Sequence, residues 1–205
     1  MLISCLMPTR GRPAFAAEAL ACYLAQTYTE RELIIVDDAD APSFPTPPNH
    51  PGVWYHRLAR RLPIGAKRNV CVSRANGGIL CHWDDDDWSA PDRLTDQFRR
   101  LHGYDITGYH SMRFTDGARW WQYTGSDDYA LGTSLMYRRE YWEENPFRTE
   151  CEVGEDVHFI HRARYSGRLV SVDAGGLMWA RNHASNTDER AGMATNTAQW
   201  REIRC

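Results

Sequence analysis

Ile79-Leu80-Cys81-His82-Trp83-Asp84-Asp85-Asp86-Asp87-Trp88 decides how the chain is read. An apolar run climbs to Trp83, four carboxylates follow in a row, and Pro91-Asp92-Arg93-Leu94 opens the next segment. Residues 78 to 83 have the length and composition of a buried strand. The carboxylates then fall in the turn at its carboxyl end, where open α/β sheets place their ligands. Four adjacent like charges repel one another, and a plain turn does not require them. A hard divalent cation with oxygen ligands, carrying substrate phosphates, would stabilise them. The plainer account is a solvated acidic turn ahead of the helix near Pro91. The buried strand and the rest of the chain favour the cation.

Upstream, Leu2 to Met7 reads as a first strand and Leu33-Ile34-Ile35-Val36 as a second. Between them apolar residues at Phe15, Leu20, Tyr23 and Leu24 recur with helical spacing, with Pro13 at a first-turn position. The stretch from Ala41 to Pro51 holds five prolines, and no regular element survives that density. Val53 to Leu58 reads as a short third strand and Ile64 to Val72 as a helix with Lys67 and Arg68 in its first turns. A further helix spans Pro91 to about Leu101. Alternating strands and helices with buried runs predict an α/β sheet. The second half is less regular. Strands are predicted at Ile106–Tyr109, Trp120–Tyr123, Ser134–Tyr137 and Leu169–Val172, and helices at Glu140–Asn145 and Asp156–Tyr165.

At 205 residues and 42% hydrophobic content the chain suits one domain with a core of its own. A formal net charge of -3 gives no global basic field for nucleic acid. No apolar run approaches the ~20 residues of a membrane span, and Met1 to Met7 is too short for a signal peptide. The six cysteines are scattered without a Cys-x-x-Cys pair. That usage predicts buried thiols in a reducing, cytoplasmic setting and disfavours zinc.

Four clusters carry candidate chemistry. Thr9-Arg10-Gly11-Arg12 follows strand one and Asp37-Asp38 follows strand two, on one edge of the sheet. A loop rich in backbone donors and arginines suits a diphosphate, and a carboxylate accepts from a base imide or a ribose hydroxyl. Gly65, Lys67, Arg68 and Asn69 add cations and an amide, though a solvated helix face reads the same way. The acidic quartet is the third cluster. Gly154-Glu155-Asp156 enters a helix, where acidic residues serve the macrodipole or supply a general base. His183, in Arg181-Asn182-His183, offers an imidazole to a metal or a phosphate.

These stretches, in this order, resemble family 2 glycosyltransferases with the GT-A fold, a Rossmann-like, mostly parallel sheet flanked by helices. The matching residues are Ser4–Arg12, Leu33–Asp38, Gly65–Asn69, Trp83–Trp88, Pro91–Leu94, Gly132-Thr133-Ser134 and Gly154-Glu155-Asp156. The resemblance implies a single domain: a nucleotide-sugar half to about residue 103, an acceptor half from 104 to 181, and a tail from 182 to 205. It implies that Pro8, Thr9, Arg10 and Arg12 line a nucleotide pocket and that Asp38 accepts from the base. Lys67 and Arg68 would stand near the nucleotide, and Asp84 and Asp85 at the ribose or first phosphate. Asp86, with His183, would bind Mn²⁺ or Mg²⁺, and Asp156, supported by Glu155, would be the base. The implied donor is a nucleoside-diphosphate sugar, most often a UDP-sugar, and one base without a second flanking carboxylate suits inversion. The proline-rich insertion after Asp38 departs from the short turn usual in the family.

Other readings are distinguishable. A nucleotidyltransferase that makes nucleotide sugars needs a glycine-rich first loop, and Thr9-Arg10-Gly11-Arg12 is glycine-poor. An aspartyl-phosphate phosphohydrolase carries its acidic pair after the first strand. An EF-hand needs a glycine inside its acidic loop. A non-catalytic nucleotide-sugar binder would leave Glu155-Asp156 surplus. For the acceptor, Trp120, Trp121, Tyr123, Tyr129 and Trp142 supply stacking faces in the second half. A glycan or lipid-linked hydroxyl is favoured. A modified nucleic-acid base, suggested by Arg57, Arg60, Arg61, Lys67 and Arg68, is the lesser option.

Overall fold

The computed structural model describes residues 1–150, 153–184, 186 and 198–203. Its parallel block comprises β1 (Ile3–Thr9), β2 (Arg31–Asp37), β3 (Val53–Arg57) and β4 (Ile79–His82). They lie side by side in the order β4-β1-β2-β3. All seven residues of β1 are buried, as a strand covered on both faces requires. Ile3, Cys5 and Met7 pack with Ala16, Ala19 and Tyr23 of α1 (Pro13–Leu24) and with Leu94 of α3 (Arg93–Arg100). On the opposite face Leu6, Ile34 and Val36 meet Cys71 and Val72 of α2 (Ile64–Arg74).

β1 continues through Pro8 rather than stopping at Met7. Proline removes a ladder donor, but pairing with β4 ends at Leu6 opposite His82, so Pro8 is flanked by β2 alone.

The second half adds antiparallel strands to the same sheet. β6 (Ile106–Thr115) hairpins onto β7 (Trp120–Thr124), and β8 (Met136–Arg138) inserts between β6 and β4. One sheet therefore crosses both halves without a seam at 103, making a mixed, mostly parallel central layer. β5 (Trp88–Ser89) pairs with β10 (Met178–Arg181), which also runs beside β6. β9 (Leu169–Asp173) lies on β6 and β11 (Trp200–Ile203) on β7. The helices α4 (Arg139–Glu144) and α5 (Glu155–Tyr165) complete the layer, with Phe159 and Ile160 in the core beneath β1 and β2. Ser134, predicted in a strand, lies instead in a single 3₁₀ turn, Gly132–Ser134.

No helix among the described residues is long and apolar enough to cross a membrane. Cys5, Cys22, Cys71 and Cys81 are free thiols, and the first, third and fourth are buried. Cys151, Cys205 and most of the tail from 185 onward lie outside the described residues.

α2 approaches the segment before α5 so closely that a methyl group on Gly65 would stand 2.1 Å from the Arg148 carbonyl oxygen. Backbone cannot yield as a flexible side chain does, so Gly65→Ala is expected to cost about 1–3 kcal/mol. Thermal unfolding should show a Tm lowered by several degrees; an unchanged Tm would mean that the two segments part freely.

Candidate active site

The carboxyl ends of β1, β2 and β4 converge on the acidic turn. Arg12 binds Asp85 with two nitrogens, Nε at 3.1 Å and Nη2 on the other oxygen, and reaches Asp86 Oδ2 with Nη1 at 2.6 Å. Thr9 Oγ1 donates to Asp85 at 2.6 Å. Burial pushes the Asp85 carboxyl up, to about 7, with Asp86 adding to the rise and Arg12 opposing it. Asp87 accepts from Thr133 Oγ1 and, at 3.3 Å, from the Arg181 amide. The fourth carboxylate thus ties the turn to the second half of the sheet.

Lys67 and Arg68 are not a solvated face: they are 6% and 4% exposed. Arg68 gives Nη1 to Asp84 at 3.0 Å and Nε to Glu155 at 3.1 Å. A single guanidinium therefore joins the end of β4 to the first turn of α5. Burial alone would raise Asp84, yet Arg68 brings it down to about 2. Lys67 Nζ meets Asp38 Oδ1 at 2.6 Å and the Thr9 carbonyl at 3.3 Å, while Asp38 Oδ2 accepts from the Leu62 amide at 2.9 Å. Both oxygens of Asp38 are thus occupied. The basic stretch of Arg57, Arg60, Arg61, Lys67 and Arg68 loses its last two members to these ion pairs.

Asp156 lies beside Glu155 at the start of α5 and faces Gly132. Burial, with Glu155 adding, pushes its carboxyl up to about 6. His183 Nε2 is 3.0 Å from Asp86 Oδ2, and Asn186 Nδ2 reaches the same oxygen at 3.3 Å. The His183 ring rests 4.7 Å from that of Phe15 on α1.

A pocket of about 670 Å³ opens beside this centre, lined by Pro8, Thr9, Arg10, Gly11, Arg12, Ala39, Asp40, Lys67 and Asn186 among others. It brings together most of the residues expected from the first loop with Lys67. Sequence reasoning named Asp37 only as part of the first cluster and missed two further supports. Asp37 accepts from the Ala39 and Ser43 amides and from Tyr55 Oη, fixing the loop after β2. Ser43, inside the proline-rich stretch, accepts from the Gly11 amide at 3.1 Å. Asn186 carried no signal at all. Only the Asp-Asp doublet at a strand end pointed toward Asp37.

Among the described residues no group of three or more His, Cys, Asp or Glu side chains forms a metal cage. Asp86 and His183 nonetheless stand side by side, an oxygen and a nitrogen that would become donors once the contacts of Asp86 Oδ2 with Arg12, His183 and Asn186 open. A Mn²⁺ or Mg²⁺ ion held by one or two protein groups and completed by substrate phosphates fits such a pair. Of the aromatic residues considered for the acceptor, Trp121 is core, 3% exposed, and Trp142 spends its indole N–H on Asn69. Trp120 instead lies edge-on to Trp179, which stacks on Trp88.

A mixed sheet whose parallel block carries an acidic turn and a cationic pocket at its strand ends is the architecture of GT-A glycosyltransferases. A family model described as Glycosyl transferase family 2 matches residues 4–164, and the chain belongs to that family. Over 99 residues it is 34% identical to the "Putative colanic acid biosynthesis glycosyl transferase WcaA" of Escherichia coli (strain K12), covering 46% of this chain and 36% of that one. S. aureus TarS 1-349, solved in complex with UDP-GlcNAc, superposes with a TM-score of 0.77 at 19% identity, covering 91% of this chain and 60% of that one. The mannosyltransferase PcManGT from Pyrobaculum calidifontis, solved with GDP-Man and Mn²⁺, superposes at 0.69 with 16% identity, covering 95% and 59%. The chain thus spans little more than a third of the curated relative and about three fifths of the two solved structures.

Proposed function

We propose that this domain moves a sugar from a nucleoside-diphosphate sugar, a UDP-sugar by preference, to a hydroxyl acceptor with inversion at the anomeric carbon. The observation that carries the reading is the Arg68 bridge, which holds Asp84 and Glu155 on one guanidinium and so keeps Asp156 beside the acidic turn. A carboxylate lifted to about 6 is a base matched to neutral pH. In this reading Arg10, Arg12 and Lys67 face the diphosphate across the pocket, and Pro8 and Thr9 form its floor. Asp38 holds Lys67 in that position rather than reading the base. By the family resemblance Asp84 and Asp85 would stand at the ribose and first phosphate, held in place by Arg68 and Arg12, and Asp86 and His183 would hold the cation. A Mn²⁺ or Mg²⁺ ion held there would supply positive charge to the departing diphosphate. Asp156 takes the proton of the attacking hydroxyl, and Glu155, paired with Arg68, keeps that helix turn in place. With one base and no second flanking nucleophile, a single displacement inverts the centre.

A glycan or lipid-linked hydroxyl remains the favoured acceptor, and the withdrawal of Arg68 into ion pairs with Asp84 and Glu155 weighs against a nucleic-acid base. A panel of nucleotide sugars, incubated with and without Mn²⁺ and assayed for released nucleotide, tests the reading. Release of UDP only with metal, even by slow hydrolysis, is expected. Pyrophosphate release would instead mark a nucleotidyltransferase, free phosphate a phosphohydrolase, and binding without turnover a non-catalytic nucleotide-sugar binder.

A further inference from the structure

One contact of Asp156 is not explained by its ion-pair neighbours. A methyl group placed on Gly132 would stand 2.1 Å from Asp156 Oδ2 and 2.6 Å from its Cγ. The Asp156 side chain, from Cβ to Oδ2, therefore packs directly against a bare Cα. The turn that presents this Cα is held from all sides. The Gly132 carbonyl accepts from His82 Nδ1 at 2.6 Å. That carbonyl can only accept, so the imidazole carries its proton on Nδ1, and Nε2 faces Tyr137 Oη at 3.4 Å. His82 is fully buried between the rings of Tyr137 and Phe147. Burial, with Arg68 close by, keeps it neutral, well below its ordinary pKa. Thr133 Oγ1 donates to Asp87, and Ser134 is gripped through its carbonyl by Gln97 at 2.6 Å and through its hydroxyl by the Tyr109 amide at 2.8 Å. A turn so fixed acts as a rigid stop.

We propose that Gly132 and the buried His82 behind it are positioning residues for Asp156: Gly132 is the wall against which the base's carboxylate rests, and His82 holds that wall. This role rests on the reading of Asp156 as the base. The charged groups facing Asp156 are Glu155, which opposes its ionisation, and Arg68, which favours it. Gly132 adds no charge; its part is to keep water from one face of the carboxylate.

The test compares the full chain with Gly132→Ala, His82→Asn and His82→Leu. Carboxyl-labelled aspartate is followed by NMR titration, with donor hydrolysis and UDP–Mn²⁺ affinity measured alongside. In the wild type Asp156 should titrate at about 6. Gly132→Ala pushes the carboxylate into solvent, and its pKa should fall by roughly one pH unit or more. Hydrolysis should drop about 10²-fold, as a misplacement near 1 Å does, while UDP–Mn²⁺ affinity stays within about twofold. His82→Asn, whose amide reaches from the Nδ1 position, should retain most activity, and His82→Leu should lose it. If His82→Leu does not fold, Gly132→Ala decides alone. An unshifted Asp156 titration in Gly132→Ala, or equal losses of nucleotide affinity and turnover, overturns the positioning role. A wild type that turns over no nucleotide sugar overturns the sugar-transfer reading instead, so the two failures are separate.

Discussion

Arg68→Met is expected to be the most destabilising single substitution in the site. The guanidinium is 5% exposed and serves two carboxylates, Asp84 and Glu155, at 3.0 and 3.1 Å. Methionine keeps much of the volume but leaves two acidic groups facing each other with their shared cation gone. Removing one partner of a buried ion pair costs about 3–5 kcal/mol, because the abandoned charge remains desolvated. For a chain of this size that amounts to a Tm lowered by about 6–20 °C. The loss should depend on pH with a definite sign. Asp84 is held below its ordinary value, at about 2. The stability it contributes is present above the unfolded carboxylate pKa and disappears as pH falls through the folded one. The gap between wild type and variant should therefore be widest near neutrality and narrow from about pH 4 toward about pH 2. A gap of under about 1 kcal/mol, or one constant with pH, would mean the bridge is a surface pair in effect.

Asp156→Asn has the largest expected effect on activity. Loss of a positioned general base costs about 10²–10⁴-fold in rate, and binding of the nucleotide should survive because Asp156 takes no part in the Arg12 and Asp86 network. The residual rate of the variant should also lose the acid limb of the pH profile. In the wild type kcat/KM should fall about tenfold per pH unit below about 6, where the raised carboxyl becomes protonated.

Stability should move the opposite way from activity. Asp156 is raised from the 3.8 of a free aspartate to about 6, so the fold favours its protonated form. That advantage is complete below the unfolded pKa and is lost as pH rises through the folded one. The wild type is thus penalised above about pH 6 and not at about pH 4. A rise of that size corresponds to at most about 3 kcal/mol, and solvent reaching the part-exposed side chain reduces this to about 1–2 kcal/mol. Asp156→Asn should accordingly be more stable than wild type at about pH 8 and equal to it near pH 4. Full transfer by this variant, or no stabilisation in mild alkali, would remove Asp156 from the base's role.

The parallel block is readable because its chemistry is uniform. β1, β2 and β4 are buried on both faces, so Leu33–Val36 and Ile79–Cys81 read as continuous apolar runs and Ile3–Met7 as one broken only by Ser4, whose hydroxyl donates to Glu32. The acidic turn is readable for the same reason, since a carboxylate run after a buried strand is conspicuous. β6 is legible only to Tyr109 because Ser111 and Thr115 are buried polar residues that break the apolar run. β10 and β11 escape notice because each is four residues long and takes its order from strands far away in sequence. In the site, the residue types are legible but their partners are not. Nothing local in Asp38 or Lys67 shows that they bind each other, 29 positions apart. Nor does the motif Gly132-Thr133-Ser134 show that its glycine Cα faces Asp156.

Central to the proposed chemistry is that Asp86, with His183 beside it, joins a divalent cation to a nucleoside diphosphate at the end of β4. Thermal shift of the wild type and of Asp86→Ala, each with UDP, with Mn²⁺ and with both, tests it most directly. Ligand binding to the folded state raises Tm, by about 2.7 kcal/mol of added stability at a hundredfold excess over Kd. A clear rise is expected for wild type only when UDP and Mn²⁺ are present together, and no such rise for Asp86→Ala. An equal rise in both proteins, or one for UDP that is indifferent to Mn²⁺, would contradict it.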